Sequence, residues 1–260
     1  MRKLLTNLLT ITVVGSASVV LLVFASIAAA SSLTFYPNDI NGGADTIGIF
    51  GDYPSTEWAT GSWKANGVSY SKIYMTPSQL FGRDVAIGEL AYISYYTKKD
   101  TTHTDSAPDW FFQMYTKPYT GSPGSSWYGN RINSEPYFSE NLNDPANTWN
   151  KWQTDDGEDN RLRFFDSSAG YFGGYTDPFL SDLTSNSDYS NQELLYIVVG
   201  TGTGWAQGFE GQLDGLHIEL NGGETADVNF EPIPEPTTIA LIGFGLLGLI
   251  GYSVHRKKKS

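Results

Sequence analysis

The chain has 260 residues, enough for one large domain, since a single all-β sandwich can use about 200 to 250 residues. Cysteine is absent, which excludes a disulfide framework, a thiolate metal site and thiol catalysis. Six basic residues lie at the two ends, so the middle has ten basic and 28 acidic residues within a net charge of -12, and such an acidic body excludes nucleic acid as a partner.

The first 30 residues have the layout of a secretory signal peptide. Arg2 and Lys3 precede a long apolar run, which ends in three alanines, the last of them Ala30. We therefore predict a signal peptide helix over residues 1–30, with cleavage after Ala30. The alternative is an uncleaved membrane anchor, because the apolar run is long enough to span a bilayer. Both alternatives export the rest of the chain.

Residues 31–231 are predicted to form one all-β domain. Short aromatic and β-branched runs alternate with clusters of Gly, Asn, Asp, Ser and Pro, and no long segment has an apolar repeat of 3.6 residues. Strands are predicted within residues 86–99, 109–117, 127–138, 148–154, 161–165, 194–200, 211–220 and 225–232. The run at 194–200 is apolar on both faces, which predicts a central strand. The 28 glycines and 12 prolines favour a jelly-roll or concanavalin-like β-sandwich.

Two acidic loops, at 38–45 and 155–160, are candidates for calcium binding because they place several oxygen ligands around glycine turns. In the second loop the candidate ligands are Asp155, Asp156, Glu158 and Asp159. Neither loop has the EF-hand spacing, and the alternative for each is a solvated turn.

The aromatic residues suggest contact with sugars. Seven tryptophans and sixteen tyrosines exceed what a core of this size needs, and flat rings beside Asn and Asp suit stacking on sugar rings. The candidate glycan contacts are Trp127, Trp149 and Trp152. Since Trp149 and Trp152 differ in strand parity, one should point inward and the other outward. Packing in the core is the alternative for each of these rings.

The sequence places no evident catalytic group. The three histidines are scattered, and His217 is predicted to face solvent with Glu219, opposite Leu216, Ile218 and Leu220. Hydrolysis by two carboxylates stays open as an alternative, because the glutamates could meet in space. We therefore expect a protein that is not an enzyme.

Residues 148–152 and 198–232 resemble the C-terminal half of jelly-roll modules found in exported bacterial proteins. The resemblance is carried by a Trp-Gly-Phe-type strand, a strand with alternating hydrophobic residues and a closing Asn-Phe-Glu strand. The matching positions are Trp205, Phe209, Gly211, Asp214, Leu216, Ile218 and Phe230. Many such modules bind sugars or calcium, which is what the resemblance implies here.

The C-terminal tail, residues 232–260, has three parts. They are the Pro-Glu-Pro triplet Pro234, Glu235 and Pro236, the uncharged run 239–254, and the basic cluster Arg256, Lys257, Lys258 and Lys259. At ~1.5 Å per residue the uncharged run gives a helix of roughly 24 Å, which spans most of a ~30 Å hydrocarbon core. The basic cluster favours a cytoplasmic C-terminus. We predict a transmembrane helix here.

This tripartite tail resembles the PEP-CTERM protein-sorting signal of Gram-negative bacteria. The resemblance implies an exosortase partner that recognises Pro234, Glu235 and Pro236 and cuts nearby, with 239–254 as a transient inner-membrane anchor and 256–259 as the stop-transfer cluster. A plain single-pass anchor is the alternative.

The expected product is a cell-surface or extracellular protein with a structural, adhesive or exopolysaccharide-associated role. The alternatives are a glycan-active hydrolase and a passive membrane-anchored protein.

Overall fold

The computed structural model of the protein describes eight stretches of the chain. They cover residues 30–35, 46–48, 61–66, 72–99, 109–123, 126–169, 176–201 and 209–230. The predicted signal peptide up to residue 29, the acidic loop at 38–45 and the predicted tail at 232–260 lie outside these residues.

Within these stretches the chain forms twelve strands and two short helices, so the all-β prediction is confirmed. The strands are β1 (Ala30–Phe35), β2 (Thr46–Gly48), β3 (Ser62–Asn66), β4 (Lys72–Met75), β5 (Leu90–Lys99), β6 (Phe111–Thr116), β7 (Arg131–Ser134), β8 (Asn150–Gln153), β9 (Phe165–Asp166), β10 (Leu194–Gly200), β11 (Glu210–Leu220) and β12 (Thr225–Phe230). The helices are α1 (Pro77–Phe81) and α2 (Leu180–Ser185), with 3₁₀ turns at Ile87–Glu89 and Pro136–Phe138. In this described part of the chain, neither helix has the length and apolar character to cross a membrane.

The strands form two sheets. In the larger sheet, β11 is the central strand: it pairs with β5 along one edge and with β3 and β12 along the other, and β2, β1 and β8 extend the sheet outward. The smaller sheet has the order β4-β10-β6-β7-β9, so the apolar strand β10 lies between two neighbours, as its sequence predicted. Every pair is antiparallel except β1 with β12, among the strands described.

One hydrophobic core joins the two sheets. Trp63 on β3 of the larger sheet and Trp110, just before β6 of the smaller sheet, are both fully buried with ring centroids 4.5 Å apart. Trp63 also contacts Phe230 on β12 at 5.6 Å. Since burial of one large apolar side chain stabilises a fold by about 1.5–3 kcal/mol, these inward rings hold the sheets together. The outward faces are left for other chemistry.

The predicted strand at 161–165 is wrong for most of its length, because only Phe165–Asp166 (β9) pairs as a strand. The backbone of Arg161 is bonded to Glu140, and the Phe164 N–H donates to the Pro178 carbonyl at 2.8 Å. Arg161 forms single bridges with Glu140 and with Gln153 of β8, and Pro178 lies in a connecting segment, so residues 161–164 do not form a continuous strand.

Trp152 lies in a buried polar network and not on the surface. Its ring is fully buried, and its Nε1 donates to Thr97 Oγ1 at 2.6 Å. The Thr97 hydroxyl donates in turn to Asp109 Oδ2 at 2.5 Å. The prediction that Trp152 contacts glycan is therefore wrong, because this side of β8 faces the core.

Asp109 of this network and the neighbouring Asp144 both have raised pKa values. Burial raises the pKa of Asp109 to about 7, and the negative charge of Asp144 adds to the effect. Burial also raises the pKa of Asp144, although its ion pair with Lys99 opposes the change. The folded state therefore binds protons at these sites more tightly than the unfolded chain does.

We predict that Asp109 makes the fold less stable as the pH rises from about 4 to about 7. Its unfolded pKa is near 4, so the stabilising contribution of the protonated group is complete below that pH and is lost as the pH passes the folded pKa of about 7. Asp109→Asn should remove on the order of 4 kcal/mol of this pH dependence in urea unfolding at pH 4 to 8. Asp84→Asn, which changes an exposed carboxylate, is the control, and equal slopes in the two variants would contradict the assignment.

We also predict that replacing two tryptophans by alanine lowers the free energy of unfolding by clearly different amounts. Trp152→Ala should lower the free energy of unfolding by about 3–5 kcal/mol, because it leaves a cavity and removes the buried hydrogen bond from Nε1 to Thr97 Oγ1. Trp127→Ala should cost about 1 kcal/mol, because that ring is 53% exposed. Urea unfolding of both variants checks this, and similar losses would refute the burial of Trp152.

Candidate functional site

Five aromatic side chains gather on the outer face of the smaller sheet and form what we call the aromatic platform. Its members are Tyr74, Tyr115, Trp127, Tyr128 and Tyr196. Alternation along the strands explains their position. On β6, Phe112 and Met114 enter the core, so Tyr115 points outward, and on β4 the buried Ile73 and Met75 flank the outward Tyr74.

Trp127 is the most exposed ring of the platform, with 53% of its surface accessible. It stacks on Tyr115 with centroids 5.3 Å apart and an interplanar angle of 22°. Tyr128 and Tyr196 meet it edge-on at 4.9 and 5.7 Å. Three neighbouring rings thus hold the indole in place while about half of its surface remains accessible to a ligand.

Tyr74 extends this surface toward the edge strand β4. It is 40% exposed and contacts Tyr196 at 5.5 Å and Tyr115 at 6.0 Å. Together with Trp127 it gives two exposed rings that share the same supporting tyrosines. A surface with two exposed rings suits a ligand longer than one sugar ring.

Hydrogen bonds between side chains of β4, β6 and β7 hold the platform in place. The Tyr115 hydroxyl donates to Gln113 Oε1 at 3.1 Å, and Lys72 Nζ donates to the same oxygen at 2.9 Å. Gln113 Nε2 donates to Asn133 Oδ1 at 2.6 Å. Side chains fixed in this way lose little conformational entropy when a ligand binds, so the platform is preorganised.

Burial shapes the titration of this network. Burial, with a smaller effect from the positive charge of Arg131, lowers the pKa of Lys72 to about 8. Burial also raises the pKa of the Tyr115 hydroxyl, with the neighbouring Tyr74 adding to the effect. Tyr115 therefore stays a neutral hydrogen-bond donor at physiological pH, and Lys72 donates to Gln113. The platform thus offers flat apolar rings with the amides of Gln113 and Asn133 close by.

The three tryptophans predicted to contact glycan do not form one site. Trp127 belongs to the platform, Trp152 is in the core, and Trp149 is half-buried just before β8 of the larger sheet. The tyrosines of the platform were not singled out from the sequence. Their signal is the alternation of outward Tyr with buried residues in β4 and β6, which can be read only once the strands are assigned to one sheet.

The acidic loop at 155–160 does not assemble a calcium site in the structure. The four predicted ligands, Asp155, Asp156, Glu158 and Asp159, are exposed, and Gly157 turns the chain with φ 78°. Asp156 Oδ1 pairs with the Arg161 guanidinium at 2.7 Å. Across the residues that the structure describes, no three His, Asp or Glu side chains come together in a way that could hold a metal ion.

The tail matches a known protein-sorting motif. Residues 232–257 match the family model of the PEP-CTERM protein-sorting motif, which covers Pro234, Glu235 and Pro236. Searches of curated proteins and of solved structures gave no match to the chain. The chain therefore carries a PEP-CTERM sorting motif, and this motif marks it as a substrate of exosortase.

Proposed function

We propose that this chain is a non-catalytic surface protein that binds neutral polysaccharide through the aromatic platform. The observation that carries the proposal is Trp127, an indole that is 53% exposed and yet fixed by three neighbouring rings. Flat aromatic faces stack on the apolar faces of sugar rings, and nearby amides and hydroxyls bond the sugar hydroxyls. A role in adhesion or in holding exopolysaccharide at the surface follows from this binding.

The sorting motif indicates a protein that crosses the membrane to reach the cell surface. We propose the remaining steps. Residues 1–30 are removed as a signal peptide, 239–254 span the inner membrane as a transient helix, and exosortase cuts near Pro-Glu-Pro. The body, 31–231, then acts as one domain with jelly-roll connectivity.

Charge favours a neutral ligand. Between the terminal basic clusters the chain has ten basic and 28 acidic residues, so a polyanionic polymer is repelled. Hydrolysis by the usual route needs two carboxylates at the sugar, and neither the five rings nor Gln113, Asn133 and Lys72 supply one.

We predict that Trp127→Ala weakens retention on columns of neutral polysaccharide by about tenfold, the effect of losing one well-held aromatic contact. The full chain, inserted one copy per nanodisc, is tested on galactomannan, dextran and β-glucan. Tyr137→Ala is the matched control, because Tyr137 is 37% exposed and lies outside the platform. Equal retention of the two variants would refute the platform.

Shortening of a bound polymer would support the hydrolase alternative, and no retention of the wild type would support a passive anchored protein.

We predict that Glu235→Ala leaves the full-length form in the inner membrane of a host with an exosortase, because Glu235 belongs to the recognised triplet. Immunoblots of membrane and surface fractions, with the mass of the C-terminal peptide, measure this. Glu231→Ala is the control. Deletion of 239–260 should release the body in soluble form. If Glu235→Ala leaves the size and the export of the protein unchanged, processing does not need the triplet.

A further inference from the structure

A polar groove lies on the outer face of the larger sheet, on the opposite side of the core from the platform. It has a volume of about 440 Å³ and crosses strands β5, β8, β11 and β12. The residues that carry its chemistry are Tyr92, Tyr96, Lys151, His217, Glu219 and Asp227. We call this set the polar groove. The sequence predicts His217 on an outward face with Glu219 and away from the other histidines, and the structure adds Asp227 of β12 as a second partner.

His217 is clamped between two carboxylates. Its Nδ1 lies 2.5 Å from Asp227 Oδ1 on β12, and its Nε2 lies 2.9 Å from Glu219 Oε1 on β11. Burial alone would lower the pKa of His217, but the bonds to Asp227 and Glu219 raise it above the usual value. In each carboxylate one oxygen contacts His217, so the second oxygen can accept a hydrogen bond from a ligand.

Ring faces and donors complete the groove. Lys151 Nζ lies 5.5 Å from the centre of the Tyr92 ring, and the Tyr92 ring lies 6.0 Å from that of His217. Asn229 also lines the cavity, and its buried side-chain oxygen has no hydrogen-bond partner among the described residues. Groups that accept, groups that donate and partly buried rings therefore converge on one concavity, the usual composition of a small-molecule site.

We propose that the polar groove is a second binding site for neutral polysaccharide, so that one molecule bridges two polymer chains. The chemistry selects a neutral, hydroxyl-rich ligand. Both carboxylates contact His217, and Lys151 lies over the Tyr92 ring, so donors and acceptors alternate and neither sign of charge stands alone in the groove. Vicinal hydroxyls can donate to Glu219 and Asp227 while Lys151 donates to a sugar oxygen, and Tyr92 packs on the ring.

The bridging part of the proposal rests on the proposed function of the platform. Both sheets turn their apolar faces to the shared core, so the platform and the groove point away from each other. Two polymer chains held on opposite faces do not compete for space. A molecule with two such sites cross-links a matrix, whereas a molecule with one site only coats it.

A two-layer capture assay tests this inference. The full chain, one copy per nanodisc, is bound to an immobilised neutral polysaccharide, either galactomannan, dextran or β-glucan, and then offered the same polymer with a fluorescent label. Alginate serves as the anionic comparison. The groove variants are Glu219→Ala and Tyr92→Ala. Glu210→Ala is the matched control, because it removes an exposed glutamate from the same strand that also pairs with one cation. Thermal unfolding of each variant confirms that it folds.

Wild type and Glu210→Ala should capture the labelled neutral polymer and leave alginate unbound. Glu219→Ala and Tyr92→Ala should still bind the first layer through the platform but capture about tenfold less of the second. Second-layer capture equal to that of Glu210→Ala in both groove variants would overturn the groove, even if Trp127→Ala has its expected effect. If Trp127→Ala binds like Tyr137→Ala while the groove variants lose first-layer binding, the groove stands as a single site, and the platform and the bridging are wrong.

Discussion

The register of β11 is the constraint on which both surfaces of the larger sheet depend. Leu213 and Leu216 are both in the core although they are three residues apart, which a regular strand would place on opposite faces. A bulge between Asp214 and His217 resolves the conflict, and Gly215 there has φ 63°, a conformation that favours glycine. The bulge switches the alternation once, so His217 and Glu219 turn outward. A slip by one residue would bury both.

The two outer faces differ because different kinds of side chain occupy the outward positions of their strands. On the smaller sheet the outward positions of β4, β6 and β10 carry tyrosines, which pack on one another and hold Trp127 above them. On the larger sheet the outward positions of β11 and β12 carry ionisable groups, which pair across strands, as His217 does with Asp227, and β5 adds Tyr92 and Tyr96. One face is therefore mainly aromatic, and the other combines rings with charged hydrogen-bonding groups. A polymer with both apolar and hydroxylated faces can use either.

The sequence was informative where a pattern is local. A continuous apolar run located the strand at 194–200, and alternation located the split between Leu216, Ile218 and the outward His217. The tail motif is likewise a contiguous signal. The sequence was uninformative where distant strands decide the outcome. The burial of Trp152 depends on Thr97 and Asp109, and the stacking of Trp127 depends on Tyr115, so parity within one strand could not separate a core ring from a surface ring. The arginines at 161 and 163 show the same limit, since their stacking on Phe179 belongs to a connection and not to a sheet.

Processing of the two ends would sharpen the preference for neutral ligands. All six terminal basic residues lie in the segments that the proposed cleavages remove, and those segments contain at most one acidic residue, Glu235. The mature body is therefore more acidic than its precursor, and copies of it repel one another and any polyanion nearby. Binding sites on opposite faces would let a shared neutral polymer join molecules that their own charge keeps apart.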